Sequence, residues 1–176
     1  MTKRSEVEAA IRAAFGGVTL GAGTSLRQTA ALDASDEEVP RDELDAARRG
    51  EITDDWTQVP AADLTPGALA QLDADGLRYY LPALVLWILD HYDDAAGRAT
   101  DEGVGMTVIG TLGSLAPSEL FADELYEVYD GFTPAQQSAL AGALEALPTL
   151  VHLDDADAER VAIALDEYWS QFLPAG

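Results

Sequence analysis

The chain has 176 residues, of which 48% are hydrophobic, and its 32 acidic residues outweigh 10 basic ones to give a formal net charge of -22. A chain of this size is expected to fold as a single domain, residues 1–176, and to bury about 70% of its unfolded surface. Phosphate binding needs a lysine and arginine footprint, so this charge argues against nucleic acid and anionic membranes as partners. The absence of cysteine excludes disulfides, thiolate catalysis and iron–sulfur clusters.

The N-terminal part of the chain predicts two helices separated by a glycine-rich stretch. Residues 4–15 place apolar side chains at helical spacing, and the glycine pair at 16–17 ends that helix. A short extended piece can follow, after which Thr24 or Ser25 caps a second helix that continues to about Asp33. The first segment is charged and lacks the apolar core of a secretory signal, so the expected compartment is the cytoplasm.

Residues 34–59 are crowded with charge and have the weakest periodicity in the chain. Pro40 can begin a short helix there, because proline suits the first helical position, and Gly50 can end it. We expect this segment to lie across the outside of the core, with Trp56 and Val59 as its anchors.

An uncharged run of eleven residues, 79–89, is the most informative stretch of the chain. As a helix it spans only ~16 Å, whereas a membrane crossing takes roughly 20 apolar residues, so it predicts a buried central helix at about 74–92. Pro82 lies inside the run and leaves two alternatives. A kinked helix is favoured because the apolar row continues through the proline; the other is an extended piece followed by a helix that starts at Pro82.

The C-terminal half predicts further helices. The glycine-rich residues 95–118 do not decide between a strand and a helix, and helix is favoured; residues 121–129 predict a short amphipathic helix. Residues 133–136, TPAQ, combine a capping hydroxyl, a first-turn proline and a glutamine that can reach back, and the helix they open is expected to stop at Pro148. A last helix covers about 155–172. The fold class is therefore mainly α, a single compact helical domain around a buried central helix, with minor extended segments allowed.

Common catalytic patterns are absent from the sequence. No phosphate-loop lysine, G-x-S-x-G elbow or H-E-x-x-H helix occurs, and the glycines at 21–23 lack the third glycine of a dinucleotide fingerprint. His91 and His152 lie among acids or before a helix cap, where a structural role is the simpler interpretation. We therefore predict no catalytic residue, no cofactor and no metal site.

A small set of polar or amphipathic side chains lies near the apolar run and supplies the candidate ligand- or partner-binding residues: Arg27, Asp33, Trp56, Arg78, Tyr79 and Tyr80. The arginines are expected to pair with internal acids. The alternative is a pocket in which arginine and tyrosine hold an anionic ligand or a partner's carboxylate. Because adjacent helical residues point about 100° apart, at most one of the two tyrosines should face such a pocket.

Two segments carry a resemblance to a known family. Residues 21–33, GAGTSLRQTAALD, and residues 73–83, DADGLRYYLPA, with Trp56 and Pro60 between them, resemble an uncharacterised bacterial family of the domain of unknown function 6714 type. We name these segments the first motif and the second motif. The resemblance implies a single bacterial domain and brings no activity, catalytic residue or cofactor with it.

Composition leaves two functional hypotheses. The acidic charge and the missing catalytic motifs favour a non-enzymatic protein-interaction module, of the inhibitor or immunity type, that engages a basic protein partner. The alternative is a small-molecule or anion-binding domain, with an enzymatic role allowed, that uses Arg27, Arg78 and a tyrosine near the central helix. Adaptation to salt or a genome-wide compositional bias would also produce such a charge.

Overall fold

The computed structural model describes residues 3–35, 38–64, 69–96, 102–116 and 122–174. Within these ranges the α-helices are α1 (Arg4–Ala14), α2 (Leu26–Asp33), α3 (Arg41–Ala47), α4 (Ala74–Ala96), α5 (Glu102–Leu115), α6 (Ala122–Asp130), α7 (Pro134–Leu150) and α8 (Asp155–Glu167). Short 3₁₀ turns occur at Trp56–Gln58, Ala61–Leu64, Leu69–Gln71 and Trp169–Phe172. The described ranges contain no strand, so the mainly α class is confirmed.

Helix α4 is the centre of the core. Every residue from 79 to 89 is buried, and α4 packs against α1, α5, α7 and the turn at Trp56–Gln58. The helix is continuous through Pro82, so the alternative of an extended piece before the proline is wrong. Such a proline leaves the carbonyl four residues earlier without its helical donor, and the surrounding packing offsets that loss.

Local capping explains where the first helices begin and end. Gly17, at φ +77°, turns the chain after α1. Ser25 caps α2: its hydroxyl accepts from the Gln28 amide at 3.3 Å, while the Gln28 side chain accepts from the Ser25 amide at 2.9 Å. No strand forms at residues 18–20; instead the Leu20 amide donates to the Thr53 carbonyl at 2.8 Å, which ties this loop to the segment before the Trp56 turn.

Several predicted helix ends differ from the structure, and α4 continues beyond the expected end at about 92 to Ala96. Helix α7 begins at Pro134 as expected but continues past Pro148 to Leu150. The proline costs one hydrogen bond near the end of the helix, and the next bond, from the Val151 amide to the Leu147 carbonyl at 3.1 Å, is kept.

The predicted helix at 155–172 is broken at Tyr168, which has φ -138° and ψ -53°. The break lets the Trp169 side chain enter the core, where it is fully buried and its indole donates to the Leu115 carbonyl at 2.7 Å. The prediction of a helix within residues 95–118 is confirmed in the part of this stretch that the structure describes, where α5 forms. No helix in the described ranges is long and apolar enough to cross a bilayer.

Candidate functional site

The two motif segments meet at one junction, where α2 and α4 begin. The Asp73 carboxylate accepts from the Gly76 amide at 2.8 Å and so begins α4. The same carboxylate accepts from the Thr24 amide at 3.0 and 3.1 Å and from the Thr24 hydroxyl at 3.1 Å. One side chain therefore fixes the starts of both helices relative to each other.

A close backbone approach between Gly23 and Gly76 makes this junction possible. A Cβ at Gly23 would lie 2.7 Å from the Gly76 amide nitrogen, and a Cβ at Gly76 would lie 2.5 Å from the Thr24 carbonyl oxygen. Neither contact leaves room for a side chain. Both glycines are needed because two backbones touch here, not because of unusual dihedral angles.

Arg48 adds a third segment, residues 48–56, to the junction. Its guanidinium donates to the Gly21 carbonyl at 2.6 Å and to the Gly23 carbonyl at 2.5 Å. A planar guanidinium can hold two acceptors at once, so Arg48 fixes both ends of the loop that leads into α2. Residues 48–56 thus lie against the start of α2 as well as against α4.

Side chains from this third segment and from α4 lie at the N-terminal amides of α2. The Arg27 amide donates to Glu51 Oε1 at 3.2 Å, and the Tyr80 hydroxyl lies beside the Leu26 amide. A carboxylate at this position is favoured because the N-terminus of a helix carries partial positive charge. Glu51 therefore acts as an internal anion at the start of α2.

Tyr79 and Tyr80 are both buried, at 0% and 2% exposure, and their rings meet edge to face at 4.9 Å. The Tyr79 hydroxyl donates to the Ile52 carbonyl at 2.9 Å. Burial, together with the charges of Asp54 and Asp55, raises the pKa of Tyr79 to about 12. Both hydroxyls face the segment that contains Glu51 and Ile52, whereas the 100° offset predicted that at most one would share a site.

The Tyr80 hydroxyl stays protonated for the same physical reason. Burial, and next the charge of Glu51, raises the pKa of Tyr80 well above its usual value, and the Leu26 amide offsets this rise only in part. Among the described residues, neither this hydroxyl nor Glu51 Oε2 has a hydrogen-bond partner. Both atoms are therefore buried at the junction without a hydrogen bond to the described residues.

The remaining predicted residues contact different parts of the fold. Arg27 is exposed and pairs with Asp63 at 3.7 Å, whereas Arg78 donates to the Gly131 carbonyl at 2.9 Å and lies 5.2 Å from the centre of the Phe132 ring. The two arginines thus serve separate contacts. Each also has an acidic partner, as the sequence predicts, since Arg78 Nη1 lies 3.8 Å from Asp75 Oδ1.

Trp56 is the anchor that the sequence predicts. It is 3% exposed, and its indole donates to the Phe15 carbonyl at 2.9 Å. Val59 is half-buried against the core. Asp33 is exposed at the end of α2, away from the polar contacts of the junction.

The histidines have structural surroundings. His91 stacks on Trp87 with ring centres 4.8 Å apart. His152 faces Asp93, and the imidazole nitrogen lies 3.1 Å from the carboxylate. Among the side chains that the structure describes, no three histidines or carboxylates gather closely enough to hold a metal ion.

An open groove of about 620 Å³ lies beside α2 and α3 and was not predicted from the sequence. Its lining residues are Gln28, Glu38, Val39, Pro40, Arg41, Leu44 and Asp45. We call it the α2–α3 groove. The signal that could have found it is the acidic, proline-containing run around Pro40, which the sequence predicts only to lie across the outside of the core.

Comparison with known proteins supplies a family but no activity. A family model described as a family of unknown function (DUF6714) matches residues 3–173, nearly the whole chain. The match includes both motifs and the groove. No curated protein and no solved structure matches the chain significantly.

Proposed function

The chain belongs to the DUF6714 family of unknown function, and we propose that it is a non-enzymatic protein-interaction module that binds a basic segment of a partner protein. In this proposal the binding surface is the α2–α3 groove. Neutralising or regulating the basic partner, in the manner of immunity and inhibitor proteins, is the consequence of binding.

The groove is the observation that carries the proposal, because it joins apolar surface to acidic surface. Val39 is buried and Leu44 half-buried, while Glu38 and Asp45 are exposed beside them. An amphipathic basic segment can place apolar side chains in such a groove and its lysines or arginines against the carboxylates. Arg41 also lines the groove, so a partner segment with one acid among its bases fits best.

The charges elsewhere in the fold support a cationic partner. Many arginines are already used internally, by a carboxylate or by backbone carbonyls: Arg4, Arg27, Arg48, Arg78 and Arg160. The acids outnumber the bases, and on α3 Asp42 and Glu43 are exposed next to the groove. An excess of negative charge of this size steers a basic partner towards the protein, and salt screens the attraction.

The contacts of the predicted site residues support a role outside catalysis. Trp56, Arg78 and Tyr79 each donate to a backbone carbonyl, so their polar groups hold the fold together. The raised pKa of Tyr79, about 12, which is caused by burial, also makes its hydroxyl a poor base near neutral pH.

Charge reversal in the groove tests the proposal. The variant Glu38→Lys/Asp45→Lys changes the groove, and Asp123→Lys/Glu127→Lys, on exposed positions of α6, changes the net charge equally outside it. Tagged protein is used to capture partners from the native host at low salt. We expect one basic protein to be retained by the wild type and by the α6 variant, to be lost from the groove variant, and to be eluted by salt.

The same experiment can contradict the proposal in two ways. Equal loss from both variants would show that net charge alone, not the groove, holds the partner. A wild-type protein that retains no basic partner at low salt would remove the reason for assigning an interaction role.

A further inference from the structure

Two buried oxygen atoms at the junction have no hydrogen-bond partner in the part of the chain that the structure describes: the Tyr80 hydroxyl and Glu51 Oε2. Tyr80 is only 2% exposed, so bulk water does not satisfy its hydroxyl. Buried polar groups in folded proteins are nearly always paired, and an unpaired one in a native structure points to an unassigned partner. Two such atoms in one place point to a shared partner.

Their neighbours place both atoms at the first turn of α2. The other oxygen of Glu51 accepts from the Arg27 amide at 3.2 Å, and the Tyr80 hydroxyl lies beside the amide of the preceding residue, Leu26. The two amides are consecutive in the chain. The charge of Glu51 also acts on the Tyr80 hydroxyl, so the two groups lie in the same region, between α2, α4 and residues 48–56.

The chemistry of the two atoms defines what can join them. The protonated Tyr80 hydroxyl has a hydrogen to donate, and the Glu51 oxygen has lone pairs to accept with. A partner between them must accept one hydrogen bond and donate another. A metal cation is disfavoured by the N-terminus of α2 and by the Arg48 guanidinium, and an anion is disfavoured by Glu51 itself.

We propose that one buried water molecule occupies this site, accepting from the Tyr80 hydroxyl and donating to Glu51 Oε2. The water links α2, α4 and the 48–56 segment, which otherwise meet there through Arg48 and Asp73. Buried waters of this kind make about three hydrogen bonds to groups that would otherwise be unsatisfied. The site is separate from the α2–α3 groove, so it stands independently of the proposed function.

A crystal structure at a resolution that places ordered water tests this proposal, together with nuclear Overhauser measurements between water and the Leu26 and Arg27 amide protons. In the wild-type protein we expect density within hydrogen-bond distance of both oxygens and a cross-peak from a long-lived water. In Tyr80→Phe the cross-peak is expected to be lost. In Tyr79→Phe, which removes a direct bond to a carbonyl instead, it is expected to remain.

Other results would overturn the proposal. Direct contact between the Tyr80 hydroxyl and Glu51, with no density between them, would show that the side chains satisfy each other. Density with the coordination of an ion would replace water by another ligand. If Tyr80→Phe does not fold, the wild-type density and cross-peak still decide, since absence of both refutes the site.

Discussion

Replacing Gly76 by alanine is expected to destabilise the protein, although alanine is the better helix former. The added Cβ would lie 2.5 Å from the Thr24 carbonyl oxygen and 3.1 Å from Asp73 Oδ1, so a backbone must move. Overpacking of this kind costs about 1–3 kcal/mol or more. Loss of two of the hydrogen bonds between Asp73 and Thr24 adds about 2 kcal/mol, at about 1 kcal/mol for each bond. Helix propensity returns at most about 1 kcal/mol, which leaves a net loss of about 2–4 kcal/mol.

Gly142→Ala is the matched control, because it is the same substitution in helix α7, where the new Cβ meets no described atom within 4 Å apart from its own helix. It is expected to stabilise the protein by about 0.5–1 kcal/mol through backbone entropy and propensity. Urea unfolding followed by circular dichroism measures both variants. In thermal unfolding each kcal/mol corresponds to about 2–4 °C in a chain of this size.

The sign of the Gly76 result decides the question. A Gly76→Ala protein as stable as the wild type would mean that the backbones of the two motifs do not touch, and the description of the junction would be refuted. Loss in Gly76→Ala with gain in Gly142→Ala would show that contact with Thr24, rather than helix propensity, sets the requirement for glycine.

Three further predictions follow from named contacts. Arg48→Met removes the donors to two backbone carbonyls and is expected to lower the free energy of unfolding by about 2 kcal/mol, measured by urea titration. Hydrogen bonds with the His152 amide and side chain lower the pKa of the Asp93 carboxyl. The stabilisation that the ionised carboxylate gives is present above its unfolded-state pKa and is lost as pH falls through its folded-state pKa. Asp93→Asn should therefore flatten the acid limb of a curve of stability against pH. Burial raises the pKa of Tyr79 from 10.0 to about 12, so Tyr79→Phe should reduce the loss of stability between those pH values, followed by unfolding and by tyrosinate absorbance. An acid limb that is unchanged, or a Tyr79 that ionises near its ordinary pKa, would contradict the last two.

The parts of the fold that depend on local chemistry could be predicted from the sequence. Capping at Ser25 and Thr133 uses side chains within one turn of the helix they begin, and the run 79–89 has no polar face to expose. These signals need no knowledge of distant residues. They identified the central helix and the starts of α2 and α7.

The errors arise where distant contacts decide. The break at Tyr168 lets the Trp169 indole reach the Leu115 carbonyl, an acceptor 54 positions away, whereas the apolar stripe along 155–172 indicated one continuous helix. Pro148 does not stop α7, because the loss of one backbone hydrogen bond near the end of a helix destabilises it only slightly. Local patterns contain neither piece of information.

The candidate site was predicted only in part for the same reason. The sequence predicts Tyr79, Tyr80 and Trp56 as candidates beside the core; the two tyrosines lie against the third segment of the junction, and Trp56 is the end of that segment. The sequence does not predict Arg48 and Glu51, because nothing in their local sequence indicates that they reach α2. The sequence does place a glycine in each motif, Gly23 and Gly76. In the structure neither glycine has a positive φ, so the close backbone approach explains them.

The two motifs thus build a structural junction, and the proposed binding surface lies beside it rather than within it. Gln28 belongs to both, since its side chain completes the cap of α2 and also lines the groove. Disturbing the junction is therefore expected to weaken partner binding through the position of α2.

Hydrogen exchange of the complex with the captured partner tests the central claim most directly. The proposed function predicts slowed amide exchange at residues 38–45, with no comparable change on α6, and loss of this protection in Glu38→Lys/Asp45→Lys. Protection centred on another surface, or none in a complex that remains intact, would contradict the assignment of the α2–α3 groove as the site of a basic partner.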